Sequence, residues 1–196
     1  MLLYHFFRLI LISLSKIFLW LEVSGRTNIP KKGGFILASN HLSNLDPMIL
    51  GVACYRELNF MAKEDLFRNG FFGRLISTVG AFPVKRDYGD VSAFKEAISR
   101  LKRGCALVIF PEGTRNQNTK NVQAQPGIGL LSSKANCPIL PVFISGTDKA
   151  MPPGFRFIRP AKVKVKFGRL LCFESSQPYE LIASKVMQEI ISLKIE

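Results

Sequence analysis

Acidic residues are scarce in this chain: 14 Asp and Glu stand against 27 Lys and Arg, a formal net charge of +13 over 196 residues. So little negative charge selects anionic company, whether nucleic acid, anionic lipid or a phosphorylated small molecule. Histidine is scarcer still, and with only His5 and His41 a histidine-rich metal centre is excluded. The four cysteines, Cys54, Cys105, Cys137 and Cys172, form no C-x-x-C pair. They read as separate reduced thiols of the core, in a cytosolic compartment. There is no G-x-S-x-G elbow and no Walker A loop. Gly127-Ile128-Gly129 begins like a dinucleotide fingerprint, but Ser132 stands where the third glycine belongs. What is abundant is apolar: 47% hydrophobic residues, with 16 Phe against four Tyr and one Trp. That supports one well-filled domain and excludes intrinsic disorder.

Met1 to Val23 are almost wholly apolar, yet Arg8 and Lys16 leave only seven uncharged residues between them. A spanning helix wants roughly 20. Wound at about 100° per residue, the segment gathers His5, Arg8, Ser15, Lys16 and Glu22 within a sector of about 120°. Such a helix lies in the headgroup region with its apolar side in the acyl chains. The expectation is therefore monotopic attachment at the cytoplasmic face of a membrane through a helix over residues 1–23. The alternatives are burial of that helix in the core and a cleaved signal peptide, which would need an uninterrupted apolar centre and a small-residue cleavage site.

From Gly33 onward, short apolar runs alternate with helical patterns. Strands are expected at Phe35–Ala38, Asn59–Ala62, Ala81–Val84, Ala106–Phe110, Pro138–Ile144 and Lys162–Phe167. Helices are expected at Met48–Tyr55, Phe71–Val79, Val91–Arg103, Ile128–Lys134 and Pro178–Leu193, the third stopped by Gly104. This is the pattern of a single α/β domain over residues 28–196, with a largely parallel central sheet flanked by helices. Ligands of such sheets gather beyond the carboxyl ends of the strands. Three polar clusters sit at such ends: Ser39-Asn40-His41, Pro83-Val84-Lys85-Arg86 and Pro111-Glu112-Gly113-Thr114-Arg115.

His41 and Asp46 are five residues apart and cannot share one helix face, since about 500° of rotation separates them. They meet if His41 lies in the loop and Asp46 at the start of the following helix, where Pro47 places it. A carboxylate on one ring nitrogen would then fix the tautomer and leave the other as a base. A capping Asp46 beside a structural His41 would leave the same trace. The turn at Glu112 to Arg115 puts an acid, a glycine and an arginine together. The Arg115 fork suits phosphate, and N–H groups near Gly113 and Thr114 suit oxygen ligands. Glu112 would either hold Arg115 or bind a substrate hydroxyl.

His41 with Asp46, Phe82-Pro83-Val84-Lys85-Arg86, Phe110-Pro111-Glu112-Gly113-Thr114-Arg115 and Pro138-Ile139-Leu140-Pro141-Val142 resemble the four ordered blocks of the glycerolipid acyltransferase family. The nearest branch is that of the 1-acylglycerol-3-phosphate acyltransferases, and the likeness runs from about Asn28 to Asp148. The resemblance implies acyl transfer from acyl-CoA or acyl carrier protein to the free hydroxyl of a lysophosphatidic acid, with another lysophospholipid or glycerol 3-phosphate as the alternative acceptor. It makes His41 the base and Asp46 its orienter. Arg86 and Arg115 would bind the acceptor phosphate, with Lys85 and Thr114 beside them, and Glu112 and Gly113 would position the glycerol. No cofactor or metal is implied. Gln125 stands where relatives often carry a lysine, and a bulky Phe143 sits in the fourth block.

Seven Lys and Arg and no acid lie between Lys149 and Leu170. They read either as protection of an edge strand or as a surface for anionic lipid. A nucleic-acid-binding module would interleave aromatics with these cations. Across the chain the aromatics mostly sit inside apolar runs, so no nucleic-acid partner is expected.

Overall fold

The computed structural model describes residues 18–68, 70–78, 80–84, 91–115, 124–152, 154–155 and 157–194. Seven strands form one sheet: β1 (Glu22–Ser24), β2 (Phe35–Ser39), β3 (Leu58–Lys63), β4 (Ala81–Val84), β5 (Ala106–Ile109), β6 (Ile139–Ser145) and β7 (Lys164–Phe167). Their spatial order is β1-β7-β6-β2-β5-β3-β4. The five strands from β6 to β4 are mutually parallel, while β7 runs antiparallel to β6 and β1 follows β7. Helices α1 (Asp46–Ala53), α2 (Asp65–Arg68), α3 (Gly70–Thr78), α4 (Val91–Lys102), α5 (Gly127–Ala135), α6 (Thr147–Ala150) and α7 (Tyr179–Ser192) complete the described elements, with a 3-10 turn at Arg26–Asn28.

The sheet is apolar on both faces because both are covered. All five residues of β2 are buried. Phe35, Leu37, Val108, Leu140 and Val142 point toward Ile49, Leu50 and Ala53 of α1. Ile36, Leu107, Ile139 and Phe143 point toward Ala97 of α4, Leu131 of α5 and Ile182 and Val186 of α7. Alternation along each strand thus assigns successive residues to opposite layers. Phe143 is a core residue of the second layer.

The expected helix over residues 1–23 falls largely outside the described residues, but its last part is corrected. Glu22 and Val23 are extended, paired in register with Lys164 and Val165. Trp20 (φ 37°) takes the left-handed region that ends a helix, and Leu19 is buried in the core. The sheet therefore takes in residues well before Asn28. Two further expectations change. β7 lies inside the sheet, between β1 and β6, so its alternating lysines do not guard an edge. Cys54 and Cys137 are buried, but Cys105 is half-buried and Cys172 exposed, so the thiols are not all core residues. Burial pushes the Cys137 thiol up to about 11.

Candidate active site

Parallel strands bring their carboxyl ends to one rim, and the functional groups follow from where β2 and β5 stop. Beyond β2, the buried Asn40 spans to β6: its Nδ2 donates to the Ile144 carbonyl (2.9 Å) and its Oδ1 accepts the Ile144 N–H (2.8 Å). This two-point clamp fixes the backbone from which His41 projects. The His41 Nδ1 lies 2.8 Å from Asp46 Oδ2. The same oxygen accepts the N–H groups of Leu42 (2.7 Å) and Ser43 (2.8 Å). An oxygen receiving two amide protons accepts from the ring as well, so Nδ1 carries the proton and Nε2 keeps its lone pair. Asp46 is fully buried at the first residue of α1, where the helix dipole favours a carboxylate. The chain turns between residues 41 and 46 because that one oxygen gathers three donors.

The imidazole is held from its face by Phe110, at a ring separation of 4.1 Å and an interplanar angle of 19°. Phe110 opens the turn after β5, closed by the Gly113 N–H donating to its carbonyl (3.0 Å). Gly113 (φ 70°) takes the left-handed conformation that glycine adopts without penalty. The turn carries Glu112 back toward His41, whose backbone N–H donates to Glu112 Oε1 at 3.4 Å. Glu112 Oε2 is buried without a hydrogen-bond partner among the described residues, as is Asp46 Oδ1. Burial raises the Glu112 carboxyl from its ordinary 4.5 to about 7; the His41 amide and ring pull it back, and Asp46 pushes it further up.

His41, Asp46 and Glu112 thus form one cluster. Gly113, Thr114 and Arg115 follow on the same turn and are exposed. Arg115 makes no ion pair among the described residues, so Glu112 turns toward His41 rather than holding Arg115. Lys85 and Arg86 lie outside the described residues, although β4 delivers the chain to this rim. Sequence reasoning placed Asn40 and Phe110 in its motifs but gave neither a role, and it gave none to Ser43. The Ser43 hydroxyl donates to the Met151 carbonyl at 2.8 Å, tying the histidine loop to the segment after α6. Only the neighbour of a candidate histidine marks Asn40 in the sequence, because its partner is 104 residues away.

Residues 21–145 match the acyltransferase family model. The chain is 30% identical over 151 residues to the 1-acyl-sn-glycerol-3-phosphate acyltransferase of Bacillus subtilis, covering 76% of this chain and 73% of that one. The enzyme of the same name from Borreliella burgdorferi is 28% identical over 193 residues, covering 92% and 77%. The crystal structure of the 1-acyl-sn-glycerophosphate (LPA) acyltransferase PlsC from Thermotoga maritima superposes with a TM-score of 0.77 at 27% identity, covering 98% of this chain and 82% of that chain. With the family match spanning the strands that carry the His41, Asp46 and Glu112 cluster, the chain belongs to the acyltransferase family.

Proposed function

We propose that the chain transfers a fatty acyl group to the free hydroxyl of 1-acylglycerol-3-phosphate, giving phosphatidic acid. The observation that carries this reading is the His41–Asp46 contact, which leaves a basic Nε2 on a ring one-fifth exposed at the strand-end rim. His41 takes the proton of the acceptor hydroxyl as its oxygen attacks the thioester carbonyl. Asp46 holds the tautomer and stabilises the imidazolium. The tetrahedral oxyanion collapses, the carbon–sulfur bond breaks, and the imidazolium returns the proton to the departing thiolate. A positioned base of this kind contributes on the order of 10²–10⁴ in rate. The nearby Ser43 hydroxyl is donated to Met151, which supports direct transfer over an acyl-serine intermediate. Acyl-CoA or acyl carrier protein supplies the thioester. Arg115, with Lys85 and Arg86, binds the acceptor phosphate, and Glu112, Gly113 and Thr114 position the glycerol.

The test is acyl transfer by purified protein to lysophosphatidic acid, beside glycerol 3-phosphate and lysophospholipids with other headgroups. His41→Ala removes the base from a ring that belongs to neither core cluster, so transfer falls to background while the circular dichroism spectrum keeps the folded shape. Near-normal turnover would refute the mechanism, and equal turnover of every headgroup would refute the assigned acceptor.

The reading extends to the membrane, since the acceptor partitions into bilayers. The apolar N-terminal segment attaches the enzyme to the cytoplasmic face without crossing. No helix among the described residues is long and apolar enough to cross a membrane. Deleting residues 1–17 spares Leu19 and β1, so the protein should fold, float less with liposomes, and keep its turnover of a short-chain soluble acceptor. Undiminished flotation would refute the anchor.

A further inference from the structure

Among the described residues, five large apolar side chains are exposed on the two chain segments that lead into β1 and β7, at the end of the sheet that carries His41. β7 and β1 run against the other strands, so their first residues lie at the carboxyl ends of the parallel ones: Ser145 pairs with Lys164, and Lys164 with Glu22. The chain ahead of both strands therefore sits on this rim. Ala161 and Val163 donate their N–H groups to the carbonyls of Phe18 (3.1 Å) and Leu19 (2.9 Å), which binds the two approaches together. Along them Phe18, Trp20, Phe155, Phe157 and Ile158 are 44%, 57%, 48%, 81% and 47% exposed. Both ends of the segment that carries Phe155, Phe157 and Ile158 are tied to the domain. The Arg159 N–H closes it onto the Ala150 carbonyl (2.8 Å), and the Ser43 hydroxyl pins Met151 (2.8 Å) only two residues from His41.

Cations surround these apolar groups. The Arg159 guanidinium lies 4.0 Å from the centre of the Phe155 ring, and the exposed Lys149 and Lys162 lie on the same approaches, with Asp148 beside Lys149 and Glu22 paired to Lys162. Exposed aromatics and an isoleucine ringed by cations do not suit a solvated face. They suit a leaflet edge, where apolar side chains enter the acyl region, an indole sits at headgroup depth, and cations meet lipid phosphates.

We propose that the tip formed by Phe155, Phe157 and Ile158 is a second membrane contact, which inserts into an anionic leaflet and sets the His41 rim at headgroup level. This rests on the lysophospholipid reading of the site, and it is separate from any anchor in residues 1–17. The loop and the histidine share one pin, so the depth of the tip fixes the height of the base above the acyl region.

The chain holds a single Trp, so one indole can be moved. Full-length Trp20→Phe carrying Phe157→Trp is titrated with vesicles of phosphatidylglycerol and phosphatidylcholine whose acyl chains are brominated. The introduced indole should shift to shorter wavelength and be quenched. In the otherwise wild-type chain, Phe155→Ser with Phe157→Ser and Ile158→Ser should weaken partitioning by about 100-fold, if each side chain is partly buried in lipid. Turnover of vesicle-borne lysophosphatidic acid should fall with it, and turnover of a short-chain soluble acceptor should not. An unquenched indole, or partitioning reduced by less than about threefold, would overturn the proposal. So would dimerisation in sedimentation that the triple substitution abolishes, since the tip would then be an interface between copies. If the triple variant also loses turnover of the soluble acceptor, the quenching of the indole decides alone. A quenched indole in a protein that does not acylate lysophosphatidic acid would sustain the contact and sink the proposed acceptor.

Discussion

Glu112→Gln turns the environment of one carboxyl into a stability measurement. Glu112 is 6% exposed, and burial raises it from 4.5 to about 7. Below pH 4.5 both the folded and unfolded chains hold this proton, so the group is neutral in either state. As pH rises from 4.5 toward 7, the unfolded chain releases the proton and the folded chain keeps it, so stability falls across this window. Above 7 the loss is complete. The gap from 4.5 to about 7, at about 1.4 kcal/mol for each pH unit, amounts to about 3 kcal/mol, most of which falls between pH 5 and pH 8. Glutamine keeps the shape and an oxygen for the His41 N–H but has no proton to lose. At pH 5 the variant should be close to the wild type, since an amide and a neutral carboxyl face the same partnerless site at Oε2. At pH 8 it should gain about 2–3 kcal/mol relative to its pH 5 difference. Urea titrations of both proteins at the two pH values, followed by circular dichroism, give this double difference, in which the other titrating groups cancel. A difference that does not change with pH would refute the burial argument.

Asp46→Asn keeps an oxygen for the Leu42 and Ser43 N–H groups but removes the charge that stabilises the imidazolium. The kcat should fall by up to the 10²–10⁴ attributable to a base, and full activity would reduce Asp46 to a turn-former. Arg115→Lys keeps the charge and loses the planar fork. The KM for lysophosphatidic acid should rise several-fold with little change for the thioester, and equal damage to both substrates would remove Arg115 from the phosphate site.

How much of this was legible in the sequence depends on the range of the interactions. The apolar runs of β2 and β5 are strong because parallel strands covered on both faces must be apolar throughout, and they were readable as written. The stop at Gly104 was readable too, since φ 87° there is a local demand. The pairing of His41 with Asp46 was legible as well, because a five-residue loop ending in Asp-Pro is a local problem. The three-residue β1 was not. Its sequence, Glu22-Val23-Ser24, carries no strand pattern of its own, and it is extended only because β7, some 140 residues later, offers its free side. The role of Glu112 was also hidden. In sequence it stands three residues from Arg115, and only the adjacency of β2 and β5 brings it to the His41 amide, 71 residues away. The sequence by itself determined the elements, the alternation that buries both faces of the sheet, and the local loop that orients the histidine. The tertiary structure decided which strand ends become neighbours, and with them the Asn40 clamp, the Phe110 stack and the raised Glu112 carboxyl. Periodicity records burial along one segment, whereas desolvation and hydrogen bonding at a shared rim exist only after distant segments meet.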